Sequence, residues 1–288
     1  MRALFLQEGL PGAQLPKLPL REQDPISISL NLLAVSKSAS PEGFKPPETG
    51  IRSGSKMTFE VIPRTAKFDN TVLLTGFHGI GYAGYWTMKY LVQKLEAKRV
   101  AFVDSETVSP VSSASQGRLV TPYEFFQKDD LTIFKDEVPP YRGAEIEFYR
   151  SLSEWITKAN FREVALVGGL DSSLRSDNSS FRLVHTSAYE PGAPLKEAKL
   201  LEDEQLIVGP VAIMLNYFEA HNFPAYAVLA YSSTERVDPR AAVASIDVLS
   251  RCYGFKVDVE PLLKGAEIVE EVPSAEKKIG KPSESIYT

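Results

Sequence analysis

The chain has 288 residues, of which 43% are hydrophobic and 24% are charged, proportions typical of a globular protein. Its formal net charge of −5 and pI near 5.5 argue against a nucleic-acid groove and against an anionic membrane surface as partners. One cysteine, Cys252, excludes an intramolecular disulfide, and neither a signal peptide nor a membrane-spanning stretch is evident, so we expect a cytoplasmic protein.

The first zone of the chain, residues 1–56, is rich in proline. Seven of the 20 prolines fall within the first 50 positions, and proline at that density breaks helices and sheet interiors. Only Ile26–Val35 has the composition of a strand. We therefore predict an irregular extension. The alternative is that the natural start is Met57, directly before the first convincing strand pattern.

Residues 57–271 alternate between strand and helix patterns and form the predicted folded domain. The predicted strands are short apolar runs at residues 71–77, 99–104, 131–137, 162–169 and 224–232. The predicted helices cover residues 82–98, 144–161, about 210–223 and 238–254, and an amphipathic segment at 259–271 closes the domain. Buried strands separated by helices indicate an α/β layer sandwich with a largely parallel sheet.

Three of these helices carry specific signals. The apolar positions expected to face inward are Tyr82, Trp86, Leu91 and Leu95 in the first helix, and Ile146, Tyr149, Leu152, Ile156 and Ala159 in the second. In the last helix, Asp238 is the expected N-cap, Pro239 the first helical residue and Gly254 the C-terminal stop.

The segment Gly76–Gly84, GFHGIGYAG, contains a G-x-G-x-x-G pattern formed by Gly79, Gly81 and Gly84. It lies between a predicted strand and a predicted helix, and Asp104 ends the next strand, as in a dinucleotide-binding fingerprint. This pattern supports one hypothesis, a nucleotide- or dinucleotide-binding enzyme.

Other features weaken the enzyme hypothesis. Phe77 and His78 separate the strand from the first motif glycine, and Tyr82 is bulky where a pyrophosphate would contact the helix start. The alternative is that the glycines allow a sharp crossover and close packing, and this interpretation is favoured. A serine-rich stretch offers Ser172 or Ser173 as nucleophiles, but no motif places a histidine base, and loop chemistry explains it better.

Metal and cofactor signals are weak throughout the sequence. No ligands cluster at metal-binding spacing, and His221 is interpreted as a helix-end residue. No phosphate-binding loop of the Walker type is present. We therefore expect no catalytic constellation, no cofactor and no metal.

The crossover and its flanks, residues 70–106, resemble the opening unit of the proteasome assembly chaperone family, which includes eukaryotic assembly chaperone two and archaeal homologues. Residues 209–232 and 236–255 resemble later blocks of that family, and the resemblance runs from about Thr58 to Glu271. His78 departs from the proline common at its position. The resemblance implies a three-layer α/β/α sandwich similar to nucleoside phosphorylases, no established catalytic site, and binding to proteasome α subunits as an oligomer.

The last zone, residues 272–288, is polar until it ends in Ile286, Tyr287 and Thr288. A segment rich in Glu, Lys, Ser, Pro and Gly cannot offset its ordering entropy, so we predict a mobile tether. The last three residues fit the hydrophobic-Tyr-x pattern of proteasome regulators, which implies docking between α subunits. The favoured hypothesis is therefore a non-enzymatic, homo-oligomeric protein that docks on the proteasome core particle through Ile286, Tyr287 and Thr288.

Overall fold

The computed structural model of the protein describes residues 58–115 and 117–264. Its strands are β1 (Phe59–Ile62), β2 (Val72–Gly76), β3 (Lys98–Ser105), β4 (Ser113–Ser115), β5 (Arg118–Val120), β6 (Tyr123–Lys128), β7 (Leu131–Asp136), β8 (Glu163–Asp171), β9 (Phe181–His185) and β10 (Ala225–Ser232). Its helices are α1 (Ala83–Lys94), α2 (Glu145–Lys158), α3 (Pro210–Ala220) and α4 (Pro239–Tyr253).

Eight strands form one mixed sheet in the order β1-β3-β6-β7-β2-β8-β10-β9. The four strands β7, β2, β8 and β10 are mutually parallel, whereas every pair outside them is antiparallel. The parallel strands are buried on both faces, as continuous apolar runs in such strands indicate. The predicted α/β sandwich with a largely parallel or mixed sheet is confirmed.

Helices cover both faces of the sheet. Helices α2 and α3 pack together on one face, and α1 packs against α4 on the other. Residues alternate between these faces along each strand, so Leu73, Leu166 and Leu229 join Phe148 and Met214 in the main core. On the opposite face, small alanines of α1, β10 and α4 meet.

The last helix begins and ends where its sequence signals predict. Asp238 accepts a hydrogen bond from the backbone N–H of Arg240 at 3.1 Å, and Gly254 closes the helix in the left-handed region with φ of 74°. Within the described part of the closing segment, residues 260–264 are helical.

Five strands lie outside the predicted set: β1, β6 and β9 of the main sheet, and β4 and β5, which form a separate two-stranded sheet. Strand β6 contains Phe125, which is buried, and β9 lies immediately after the serine-rich loop. In α2, the prediction that Ile146 faces inward is wrong, because Ile146 is 65% exposed. Tyr149, Leu152 and Ile156 are buried as predicted. Periodicity gives the inward direction of a helix but not how far the neighbouring layer extends along it.

The predicted domain boundaries, at residues 56/57 and 271/272, lie outside the described residues. Within the described ranges, no helix has both the length and the hydropathy that crossing a bilayer requires.

Candidate functional site

The carboxyl ends of β2 and β7 form the point in the fold where a binding crevice is most expected. These strands are parallel neighbours in the sheet. The chain leaves β2 for α1 on one face, and it leaves β7 for α2 on the other. Ligands of open α/β sheets bind outside the carboxyl ends of strands at such a reversal. The residues that follow β2 and β7 are therefore the candidate site.

On the β2 side of this point lies the glycine crossover, the segment Gly76–Gly84 that joins β2 to α1. Backbone atoms pack closely around two of its glycines. A Cβ atom added to Gly84 would lie 2.4 Å from the carbonyl oxygen of Val167 and 2.6 Å from the backbone nitrogen of Phe77. A Cβ atom on Gly76 would lie 2.6 Å from the Cα atom of Gly84. These two glycines bring the start of α1 directly against the sheet.

The third glycine contact involves Gly81, which has φ of 58° and lies against Ser232. A Cβ atom there would come within 1.7 Å of the Ser232 Oγ atom. Gly79 differs, because its backbone is extended and nothing lies within 4 Å of an added Cβ atom. Gly81 and Gly84 thus meet a packing requirement, which supports the interpretation of the crossover as a packing joint.

The acid of the suspected fingerprint lies on the wrong strand. Asp104 is on β3, where it pairs with Glu60 of β1. Strands β6 and β7 separate β3 from β2 in the sheet, whereas the fingerprint requires the acid at the end of an adjacent strand. Tyr82 also occupies the start of α1 with φ of 56°. The geometry does not bring the glycines and Asp104 together around one dinucleotide.

A buried polar cluster occupies the same edge, formed by His78 after β2 and by Asp136 and Glu137 at the end of β7. The His78 ring stacks on the Tyr85 ring with centroids 4.3 Å apart. Its Nδ1 atom lies 3.9 Å from Asp136 Oδ1, which is beyond hydrogen-bonding distance. On the other face, the Tyr149 hydroxyl donates to Asp136 Oδ2 at 2.7 Å. The cluster therefore connects the crossover with both helical layers.

Burial controls the charge of the first pair. It raises the pKa of Asp136 to about 8, although the hydrogen bond from Tyr149 partly opposes this, and the nearby Glu137 adds to it. Burial also lowers the pKa of His78 to about 4, with Glu137 opposing this change. Near neutral pH, the imidazole is therefore neutral and Asp136 is mostly protonated.

Glu137 carries the charge of the cluster. Burial opposes its ionisation, but Lys135 and Lys89 outweigh burial and lower the pKa of Glu137 to about 2. Lys135 donates to Glu137 Oε2 at 2.8 Å, and the Tyr85 hydroxyl donates to Oε1 at 3.0 Å. A carboxylate between two ammonium groups and a phenol is a satisfied buried ion pair.

The cluster can hold or exchange a proton, but it is poorly placed for substrate chemistry. The Asp136 side chain has no exposed surface, whereas the His78 side chain is 20% exposed. Asp136 Oδ1 and His78 Nδ1 make no hydrogen bond within the described residues. The arrangement therefore favours a structural role, in which packing at this edge depends on whether Asp136 is protonated.

The structure places the remaining sequence candidates away from this cluster. Ser172 and Ser173 form a short turn after β8, in which Asp171 accepts from the Ser173 backbone N–H at 2.8 Å. His221 ends α3 and stacks on Tyr217, as the helix-end interpretation predicts. Among the described residues, no group of three potential ligands could hold a metal ion. The motif Ile286, Tyr287 and Thr288 lies outside the described residues.

Sequence reasoning missed the cluster because the order of the strands was unknown. His78 and Asp136 are 58 positions apart, and only the pairing of β2 with β7 brings them together. The available signal was two polar residues, each at the end of an apolar strand.

Comparisons with known proteins identify a family to which the sequence is similar. A sequence model described as the PAC2 family matches residues 73–275. An uncharacterized protein of Methanocaldococcus jannaschii is 22% identical over 210 residues, which cover 71% of this chain and 84% of that protein.

Two solved structures from Pyrococcus furiosus share the fold. PbaA, an archaeal homolog of proteasome-assembly chaperone, aligns with a TM-score of 0.63 and 24% identity over 74% of this chain and 94% of that one. PbaB, an archaeal proteasome activator, aligns with a TM-score of 0.60 and 20% identity over 75% of this chain and 96% of that one. At these identities the structural matches show a common fold.

A pair of glycine substitutions tests the interpretation of the crossover. We expect Gly84→Ala to lower the free energy of unfolding by about 3 kcal/mol, because its methyl group would overlap backbone that cannot move aside. Gly79→Ala is the matched control and should change it by less than about 0.5 kcal/mol. Urea denaturation measures both, and a Gly84→Ala protein as stable as the control would contradict the packing role.

The pH dependence of stability tests the protonated state of Asp136. Its pKa is raised by folding, so its stabilising contribution is complete below about pH 4 and is lost as pH rises through about 8. Between pH 7 and 8, the wild type should lose about 1 kcal/mol, and the neutral Asp136→Asn variant should not. Asp130→Asn, at an exposed aspartate, is the control. An unchanged slope in Asp136→Asn would show that Asp136 is already ionised at pH 7.

Proposed function

The chain belongs to the PAC2 family, and on that premise we propose that it is a non-enzymatic protein that binds the proteasome core particle as an assembly chaperone or activator. The observation that carries the proposal is the match of the family model to residues 73–275, which include most of the described α/β sandwich. The common fold with PbaA and PbaB supports it, since PbaA is an archaeal homolog of proteasome-assembly chaperone and PbaB is an archaeal proteasome activator.

The geometry at the carboxyl ends of β2 and β7 gives little support to a nucleotide-dependent enzyme. In the sandwich, Gly76 and Gly84 pack against backbone, and Gly81 packs against the side chain of Ser232. Asp104, the other half of the fingerprint, lies three strands away from β2. The nucleotide-dependent enzyme therefore has no observation in its favour beyond the motif itself.

We propose that the contact with the core particle is made by Ile286, Tyr287 and Thr288, docked in pockets between α subunits. Full burial of the Ile286 side chain would contribute about 1.5–3 kcal/mol. Tyr287 adds a large ring with few rotatable bonds and a hydroxyl that needs a partner. A terminal carboxylate on Thr288 can be bound by backbone N–H groups or a lysine.

The distance between the fold and the motif suits this mode of binding. The predicted domain ends at residue 271, which leaves residues 272–285 as the predicted connection. A polar coil of this length would span about 20 Å. The tether would let the motif enter a pocket while the sandwich stays on the surface of the ring.

Several copies would be needed for firm binding, because one short motif binds weakly. A homo-oligomer that presents several motifs to the ring would gain about 10²- to 10⁴-fold in avidity, provided that they engage together. A homo-oligomer is therefore part of the proposal.

The role of the motif is tested by Tyr287→Ala, measured as binding of the full chain to an archaeal proteasome core particle by interferometry. We expect affinity to fall at least tenfold, because the ring and its hydroxyl contact are both lost. Tyr141→Ala, at an exposed tyrosine of the sandwich, is the control and should bind like the wild type. Equal binding by Tyr287→Ala and the wild type would refute docking through the motif.

A further inference from the structure

An open groove of about 700 Å³ runs along the outer side of α2. Phe59 of β1 and Tyr217 of α3 line it beside residues of α2. Trp155 contributes a third aromatic ring, and Ile146 at the start of the helix is 65% exposed. Aromatic anchors, an arginine and an exposed aliphatic residue are the composition of the energetic centre of a protein interface.

The charged residues of this groove alternate in sign along the helix. In chain order they are Glu147, Arg150, Glu154 and Lys158. Their spacing of three, four and four residues places them on one stripe of the helix. Their charges sum to zero, whereas the whole chain carries −5, so this stripe adds no net repulsion between two copies.

Along the helix the charges run negative, positive, negative, positive. An antiparallel second copy of the helix therefore places opposite charges next to each other. If a second α2 lies antiparallel about a two-fold axis near Leu152, Glu147 faces Lys158 of the other copy, and Arg150 faces Glu154. A two-fold interface places the same surface on both sides in this manner. Ser151 lies near the axis, and its small side chain allows the helices to approach closely.

We propose that the groove along α2 is the surface through which two copies of this chain associate, antiparallel about a two-fold axis. The proposal rests on the homo-oligomer of the proposed function and names the surface through which its copies associate. Association buries Ile146 and Trp155 and exchanges the exposed Glu154–Lys158 ion pair within each helix for pairs between helices. The exchange costs little, since an exposed ion pair contributes little to stability.

A charge-reversal cycle in the full chain tests the pairing of Glu147 with Lys158. These residues are 11 positions apart on one helix, or about 16 Å, so they do not contact within a copy. Glu147→Lys and Lys158→Glu should each raise the dissociation constant of the dimer at least tenfold, because each substitution places like charges together at both ends of the interface. The double variant should restore it to within about threefold of the wild type.

Sedimentation equilibrium gives the dissociation constant, and thermal melting shows that each variant is folded. Lys264→Glu is the control, since it also disrupts an exposed ion pair between residues four apart, with Glu260, but lies outside the groove. A monomeric wild type, single variants that associate like the control, or a double variant no tighter than the singles would each overturn the proposal. Binding to the core particle is measured separately: its absence in a dimeric wild type would refute the proposed function and leave this interface standing.

Discussion

The fold depends on one close approach of backbone, where Gly84 at the start of α1 lies against Gly76 and the carbonyl of Val167. This contact holds α1 against the parallel strands and fixes the angle at which the chain leaves β2. Close packing of the helix on the strand explains why both positions are glycine. A motif that suggests cofactor chemistry in the sequence therefore serves the architecture of the sandwich.

The electrostatics of the same edge follow from this packing. Because α1 lies so close, His78 and Asp136 are removed from water, and burial favours the neutral form of both. Glu137 stays ionised because Lys135 and Lys89 lie beside it. A protonated carboxyl held by Tyr149 connects the sheet to α2, the helix whose outer side carries the alternating charges. The edge thus acts as a joint between the two layers.

Local patterns predicted most of the described elements, and long-range pairing explains what they missed. The parallel strands are encoded by apolar runs, and the limits of α4 are encoded by Asp238 and Gly254, which lie at the two ends of that helix. Strand β6 becomes a strand through its pairing with β3 and β7, which no local pattern reports. The proximity of His78 to Asp136 could not be predicted without the order of the strands in the sheet. The exposure of Ile146 could not be predicted without knowing how far the neighbouring layers extend along α2.

We propose that the sandwich is a carrier through whose surface copies associate, while Ile286, Tyr287 and Thr288 bind the partner. The central claim of this proposal is that the partner is the proteasome core particle, and the mass of the complex tests it most directly. Mass photometry of the full-length protein mixed with an archaeal core particle should show a species heavier than the core particle by one or more copies of this 31.8 kDa chain. An unchanged core-particle mass at micromolar concentrations of the protein would contradict the claim.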